Sequence, residues 1–468
     1  MRLLYLIIIL TLFQACSKEE ISPATTNNQP VTTNPVVKND SVFKYIATKF
    51  DLTSTYPKMQ DVLFNNAWVQ IGSLSGGLDH CHYKVFYYKG VEHLILNPTS
   101  VNKVPLIHLI NKSGIWEVEK TYDGPLSNFS SPVSSDMGSD GNYFLSEYGS
   151  EAFGTNNLPG GPSVKIQVED NLTLKFTKAS GQEDHTFYSS AKGDLNGDGL
   201  EDNVASMMGG QNGKFPGVAG LMVYTQNKDG SFFEDRNFIS DPNTDGTYPN
   251  IEGVTSIGVA NVMGDSRPEI IVSGPFLGIA IYAFNAQIQK FQYVKTKFDA
   301  GFFVLDKSKN RSPIETRIVD FNNDGFLDLA LEFEGDPGGG IQIWWNDGKG
   351  NFAAGPQYFF SNTAVGERYF DVVDINGDGW QDIFIGGWMG SSYNLKNSFW
   401  LNNKNKSFAF YDKDLVINPA EKSNITHQIR GFMSNGKFKI IGVTGQYDFL
   451  LDAGRYQFKV IDISNFKL

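Results

Sequence analysis

Asp320-Phe-Asn322-Asn-Asp324-Gly-Phe326-Leu-Asp328 sets oxygen-bearing side chains at the first, third, fifth and ninth places of a short run, with glycine sixth. The pattern recurs in Asp194-Leu-Asn196-Gly-Asp198-Gly-Leu200-Glu-Asp202 and in Asp374-Ile-Asn376-Gly-Asp378-Gly-Trp380-Gln-Asp382. A hard divalent cation prefers carboxylate, amide and carbonyl oxygens, and alternate places of a tight loop can all point inward at one ion. The side chains of the four oxygen-bearing places, with the seventh-place carbonyls of Leu200, Phe326 and Trp380, therefore predict about three calcium sites. No histidine or cysteine lies in any of the three runs, which disfavours zinc.

The first half of each run would also begin an EF-hand. An EF-hand needs a glutamate at the twelfth place and a helix beyond it. Here that place holds Ala205, Leu331 and Ile385. The acidic runs lead instead into Asp328-Leu-Ala-Leu-Glu-Phe and Asp382-Ile-Phe-Ile-Gly-Gly, short apolar stretches that read as buried strands. Thr316-Arg-Ile-Val and Tyr369-Phe-Asp-Val-Val upstream read the same way, so each acidic run is expected in a hairpin loop. Asn-Gly-Asp-Gly alone is also a generic turn sequence; three copies with the same ligand places argue for more than a turn.

A second polar turn ending in an aromatic comes after each loop: Asn227 to Phe232, Asn346 to Phe352 and Asn402 to Phe408. The unit is therefore four strands. Decayed copies keep the frame and lose ligands. Asn261-Val-Met263-Gly-Asp265-Ser-Arg-Pro-Glu269 has methionine third and serine sixth, and its occupancy stays open. Others surround Asp140, Asn435-Gly436 and Lys89-Gly90; Lys439 stands at a ninth place, where its charge would repel calcium. With the fifth place as marker, the copies fall at Lys89, Asp140, Asp198, Asp265, Asp324, Asp378 and Asn435.

Repeated four-stranded units of this length predict an all-β, seven-bladed β-propeller of four-stranded blades with calcium-binding hairpin loops. The motif resembles the FG-GAP or VCBS repeat, which forms the seven-bladed head of integrin α chains. The resemblance covers roughly residues 83 to 466 and is carried by the three intact loops. The four decayed copies leave the count open by one, and the strand that closes the ring is not assigned.

Composition agrees with this architecture: 48 glycines, 13% aromatic and 19% charged residues suit short strands and tight turns. A formal net charge of −12 argues against nucleic acid as a partner.

Met1-Arg2 and the apolar run Leu3 to Phe13 read as a signal peptide core over residues 1–15, too short for a stable bilayer span. It ends at Gln14-Ala15-Cys16, which resembles a bacterial lipobox, with Phe13 where leucine is usual. Lipid on Cys16 would supply a membrane attachment. The competing reading is an ordinary cleaved signal peptide with an incidental cysteine. Ser17-Lys18-Glu19-Glu20 resembles the surface-export signal of Bacteroidetes lipoproteins, which implies an outer-membrane, surface-exposed protein. Residues 16–42, rich in Thr, Asn and Pro, read as a tether; 43–82 as an N-terminal extension that caps or completes the first blade; 83–468 as the propeller. With Cys16 lipidated only Cys81 remains, so no internal disulfide forms and calcium is the expected staple.

If the acidic loop joins the first two strands and the polar turn the last two, both share one rim. The opposite rim then carries Met207 to Phe215, Glu332 to Gly340 and Gly387 to Tyr393, and long loops on a rigid ring are where binding is usually found. Phe215, Trp388 and Tyr393 are the candidate aromatic platforms there, with Glu334 and Asp336 as polar contacts; packing between blades is the alternative role for the aromatics. A glycan- or protein-binding module that is not an enzyme is the leading expectation. A polysaccharide lyase is the second, although that rim is acidic and short of the Arg and His such chemistry uses.

Overall fold

A computed structural model describes residues 45–51, 81–98, 106–122, 132–134, 142–147, 163–180, 186–209, 221–235, 237–240, 254–274, 278–294, 297–298, 312–334, 339–359, 370–389, 393–394, 399–410, 416–417, 425–446 and 457–463. Every regular element among them is a strand. No helix among them is long and apolar enough to cross a membrane.

The strands form five four-stranded sheets, two five-stranded sheets and one two-stranded pair, arranged as a β-propeller. The sequence predicts seven four-stranded blades; five sheets have that form. In the sheet spanning 297–359, the short strand Lys297–Phe298 adds in parallel to Asn351–Phe352. In the sheet built on Ile425–Ser434, Gly387–Met389 adds beyond the first strand and Tyr45–Asp51 beyond the third. These additions are two to seven residues long and come from distant or intervening chain, so no local periodicity announces them.

Within each four-stranded sheet the strands neighbour one another in chain order and run up and down, as in Thr186–Gly193, Asp202–Gly209, Leu221–Gln226 and Phe232–Asp235. The second and third strands are covered on both faces, which explains their unbroken apolar runs. Leu329, Ala330, Leu331, Ile341, Ile343 and Trp344 are all buried. One set of side chains packs on the preceding sheet: Leu329 and Trp344 join Val262, Ile271 and Ile281. The other packs on the following sheet: Ala330, Ile341 and Ile343 join Phe370, Ile383 and Trp400. The first strands of adjacent sheets approach closely. A Cβ on Gly258 would lie 2.3 Å from Ile318 Cδ1, so any larger residue there would force that side chain to shift.

The outer edge is tied from sheet to sheet as well. In five of the sheets the residue opening the fourth strand is Leu174, Phe232 or Phe408, or one place further on Phe291 or Phe352, and each is buried. Each is also reached by the preceding sheet or by the chain leaving it. Leu174 N–H donates to Tyr122 Oη (2.7 Å), Phe291 N–H to the Phe238 carbonyl (2.8 Å) and Phe408 N–H to Tyr358 Oη (2.6 Å). Ser180 N–H donates to the Phe232 carbonyl at 2.9 Å. Edge groups that would otherwise template aggregation are thereby paired.

Closure follows the same logic. Tyr45–Asp51 pairs antiparallel with Gln457–Ile463, so the N-terminal segment completes the last sheet and not the first. The first sheet, beginning at Cys81, meets the closing one through Glu92. Its carboxylate accepts from Ser434 Oγ and Lys439 Nζ across the seam, and from Asn111 Nδ2 at 2.7 Å. Lys439, at the ninth place of a decayed copy, thus finds its counter-charge on the neighbouring sheet.

Candidate functional site

All three acidic runs join the first and second strands of their sheets, on the rim that also carries the third-to-fourth turns. The sixth-place glycines Gly199, Gly325 and Gly379 have φ of 84°, 86° and 83°, where a side chain would be strained. The second-place residues Leu195, Phe321 and Ile375 are buried and pin each loop to the core.

The first-place aspartate holds the turn together. Asp374 Oδ1 accepts from Gly377 and Asp378 N–H (2.9 and 3.0 Å), and its Oδ2 from Gly379 N–H (2.9 Å). Asp194 makes the same three bonds at 2.7, 3.0 and 2.9 Å. Asp320 accepts from Asp324 and Gly325 N–H at 3.2 and 2.9 Å. The third-place amide oxygens of Asn196, Asn322 and Asn376 accept from the fifth-place N–H, and the fifth-place carboxylates of Asp198, Asp324 and Asp378 accept from the seventh-place N–H of Leu200, Phe326 and Trp380. The third- and fifth-place bonds are the self-bonding expected of Asx turns.

The ninth-place aspartate has a role that the sequence reading did not give it. Asp202, Asp328 and Asp382 are fully buried. One oxygen accepts from the second-place N–H: Leu195 (3.1 Å), Phe321 (3.1 Å) and Ile375 (2.9 Å). The other accepts from the end of the third strand: Gln226 (2.9 Å), Asn346 (2.9 Å) and Asn402 (2.7 Å). Each carboxylate therefore staples its loop to the middle of its own sheet. Burial raises its pKa, to about 6 for Asp202 and Asp382 and about 7 for Asp328, and the nearby loop aspartates push the same way.

Asn346 and Asn402 then carry the staple to the neighbouring sheet. Asn402 Nδ2 donates to the second-place carbonyl of Phe321 (2.7 Å) and to the Gln381 carbonyl (3.1 Å). Asn346 does the same with Val262 (2.8 Å) and Leu327 (2.9 Å). The sequence shows both only as turn residues; the signal there is the asparagine that opens each of the three polar turns. One loop also touches the next through Asn323 Nδ2 and the Gly379 carbonyl, 3.3 Å apart.

Among the described residues, no group of three or more His, Cys, Asp or Glu side chains converges tightly enough to hold a metal ion. The loop carboxylates lean instead on their own N–H groups. The donor set nevertheless fits a hard cation: it is all oxygen, and the first- and fifth-place aspartates push up the proton affinity of the buried ninth-place one, a repulsion that a divalent charge would relieve. In the 374–382 loop Lys404 Nζ, 3.2 Å from Asp378, supplies part of that charge.

The decayed loop is built differently. Glu269 takes the stapling role, accepting from Val262 and Met263 N–H at 2.7 and 3.1 Å. Met263, at a ligand place, packs against the apolar cluster of Trp344 and Phe352 on the next sheet.

The residues proposed for the opposite rim are only partly placed. Phe215 and Asp336 lie outside the described residues, as does Cys16. Glu334 ends the strand Asp328–Glu334. Trp388 and Tyr393 do not sit in one open loop: Trp388 pairs with Gln428 of the closing sheet, and Tyr393 with Ile417. Glycines around Trp388 make the stretch read as a turn, while its hydrogen-bond partners come from a strand of another sheet.

A family model for the FG-GAP-like repeat matches residues 320–385, from one acidic loop through the next. No curated protein sequence matches the chain. Among solved structures, similarity extends to a lectin of Agrocybe aegerita described as specifically recognising non-reducing terminal N-acetylglucosamine, at 14% identity and a TM-score of 0.45, covering 82% of this chain and 90% of that one. A protein from Lactobacillus plantarum has 10% identity and a TM-score of 0.41, with 71% and 84% covered. The Dos1 propeller has 10% identity and a TM-score of 0.39, with 80% and 77% covered.

Proposed function

We propose that this chain is a lipid-anchored, calcium-stabilised β-propeller that recognises a glycan or a protein and performs no catalysis. In this reading the two five-stranded sheets count as further blades beside the five four-stranded ones. Cys16 carries the lipid, the residues after it form the tether, and the head is displayed at the surface of an outer membrane. Calcium occupies the loops of Asp194 to Asp202, Asp320 to Asp328 and Asp374 to Asp382.

One observation supports this most: all three acidic loops spend their polar groups on holding loop, third strand and, in two of them, neighbouring sheet together. Groups committed to internal bonds are poor candidates for substrate chemistry. Cations bound there stabilise the folded ring by mass action. Recognition then falls to the opposite rim, where Trp388, Tyr393, Glu334, Phe215 and Asp336 are the candidate contacts.

The test is binding of the soluble head, without residues 1–42, to a polysaccharide and protein array with and without calcium. Hits are then assayed by ultraviolet absorbance for an unsaturated sugar product. Saturable binding without product is the expected result. Appearance of product would replace this reading with a polysaccharide lyase.

A further inference from the structure

We infer that the head sits with its acidic-loop rim toward its anchor and presents the opposite rim outward. The inference rests on the anchoring at Cys16 proposed above, and strand direction carries it. In the sheet of residues 186–235 the first strand runs toward the acidic loop, the second away, the third toward the Asn227–Ser231 turn and the fourth away. The closing sheet keeps this order. Ile425–Ser434 runs to the Asn435-Gly436 turn, Lys437–Gln446 away from it and Gln457–Ile463 back to the same rim.

Tyr45 is paired with Ile463, and Asp51 with Gln457. The N-terminal strand therefore starts on the acidic-loop rim and runs away from it. In register it fills the place of the fourth strand elsewhere: Tyr45 faces Ile463 as Phe232 faces Gln226 and Phe408 faces Asn402. The first sheet agrees independently. Cys81–Tyr88 runs toward the Lys89-Gly90 turn on the acidic-loop rim, so the chain re-enters the ring from the opposite side. Whatever precedes Tyr45 joins the head at the acidic-loop rim.

Length turns this attachment into an orientation. Taken as the tether proposed above, the residues between Cys16 and Tyr45 would reach ~100 Å at full extension and would span about 30 Å end to end as a coil. A head of this size has a radius of gyration of about 22 Å, so the path around it to the far rim exceeds the usual reach of the coil. The rim bearing Trp388 and Tyr393 is thereby turned from the anchoring bilayer. Its partner is a molecule arriving from the medium or from another surface, not a component of the membrane that holds the head.

The experiment places a fluorescent donor, as an unnatural amino acid, at Lys228 in a third-to-fourth turn or at Asn394 on the opposite side. Each lipidated chain is reconstituted in vesicles containing an acceptor-labelled lipid. Stronger energy transfer from position 228 than from 394 is expected; equal or reversed transfer overturns the orientation. Mass spectrometry of the peptide bearing Cys16 judges the anchoring reading separately. If no lipid is found there, the Cys81→Ser chain starting at Cys16 is coupled to a maleimide lipid through that residue. The same comparison then still decides the geometry.

Discussion

Asn346 donates its side-chain amide at 2.8 Å to the carbonyl of Val262, 84 residues earlier and on the neighbouring sheet. Its Oδ1 also accepts from Gly348 N–H and its own N–H donates to Asp328, so one buried residue joins loop, turn and two sheets. Asn346→Ala would leave two carbonyls without that donor, at about 1–3 kcal/mol. Asn346→Asp should be at least as harmful, because it sets a carboxylate oxygen against those carbonyls. Thermal unfolding of the two variants in saturating calcium checks both, and an aspartate variant as stable as the parent would remove the clamp from the account.

The cation loops predict a stoichiometry. Isothermal titration of the head should find about three calcium ions, and Asp320→Ala or Asp374→Ala should each remove one. At a hundredfold excess of calcium over Kd, each site adds about 2.7 kcal/mol to folding stability. Met263 faces the next sheet, so Asp265→Ala should leave the stoichiometry unchanged.

His93 and His108 make a third test. Both are fully buried, with stacked rings and Nδ1 of the first 3.0 Å from Nε2 of the second. Burial lowers their pKa to about 4 and about 3. The unfolded chain, titrating near 6.5, then binds more protons than the folded one below that pH. Stability is therefore lost as pH falls from about 6.5 toward the folded values. The other nitrogens, His93 Nε2 and His108 Nδ1, have no hydrogen-bond partner. A His93→Leu, His108→Leu double variant should match the parent near neutral pH and exceed it by on the order of 4 kcal/mol at pH 5, about 2 for each histidine. Denaturant titrations in saturating calcium at both pH values measure this.

The parts of the fold legible in sequence are those made by contacts close along the chain. The loops at Asp194, Asp320 and Asp374 lie beside the strands they join, so their spacing exposed the four-stranded unit and the propeller. Asn346 and Asn402 were legible only as turn residues, because the carbonyls they bind belong to another sheet, 84 and 81 residues away. Trp388 illustrates the same limit. Its strand exists because Gln428 lies opposite, a pairing that glycine-rich local sequence conceals. Asp202, Asp328 and Asp382 were found as oxygen donors, but their burial and stapling bonds depend on the third strand folding over them.

Among the described residues, Tyr45–Asp51 makes the pairing most distant along the chain, joined to Gln457–Ile463. It supplies the outer strand of a sheet that would otherwise present Gln457–Ile463 as an open edge. Such an edge invites pairing with another chain. A head beginning at residue 52 should therefore melt lower than one beginning at residue 43 and should self-associate, whereas loss of residues 1–42 alone should change neither. Thermal unfolding with size-exclusion chromatography distinguishes these outcomes. Equal melting and a monomeric shorter head would mean that the ring closes through Glu92, Ser434 and Lys439 without the N-terminal strand.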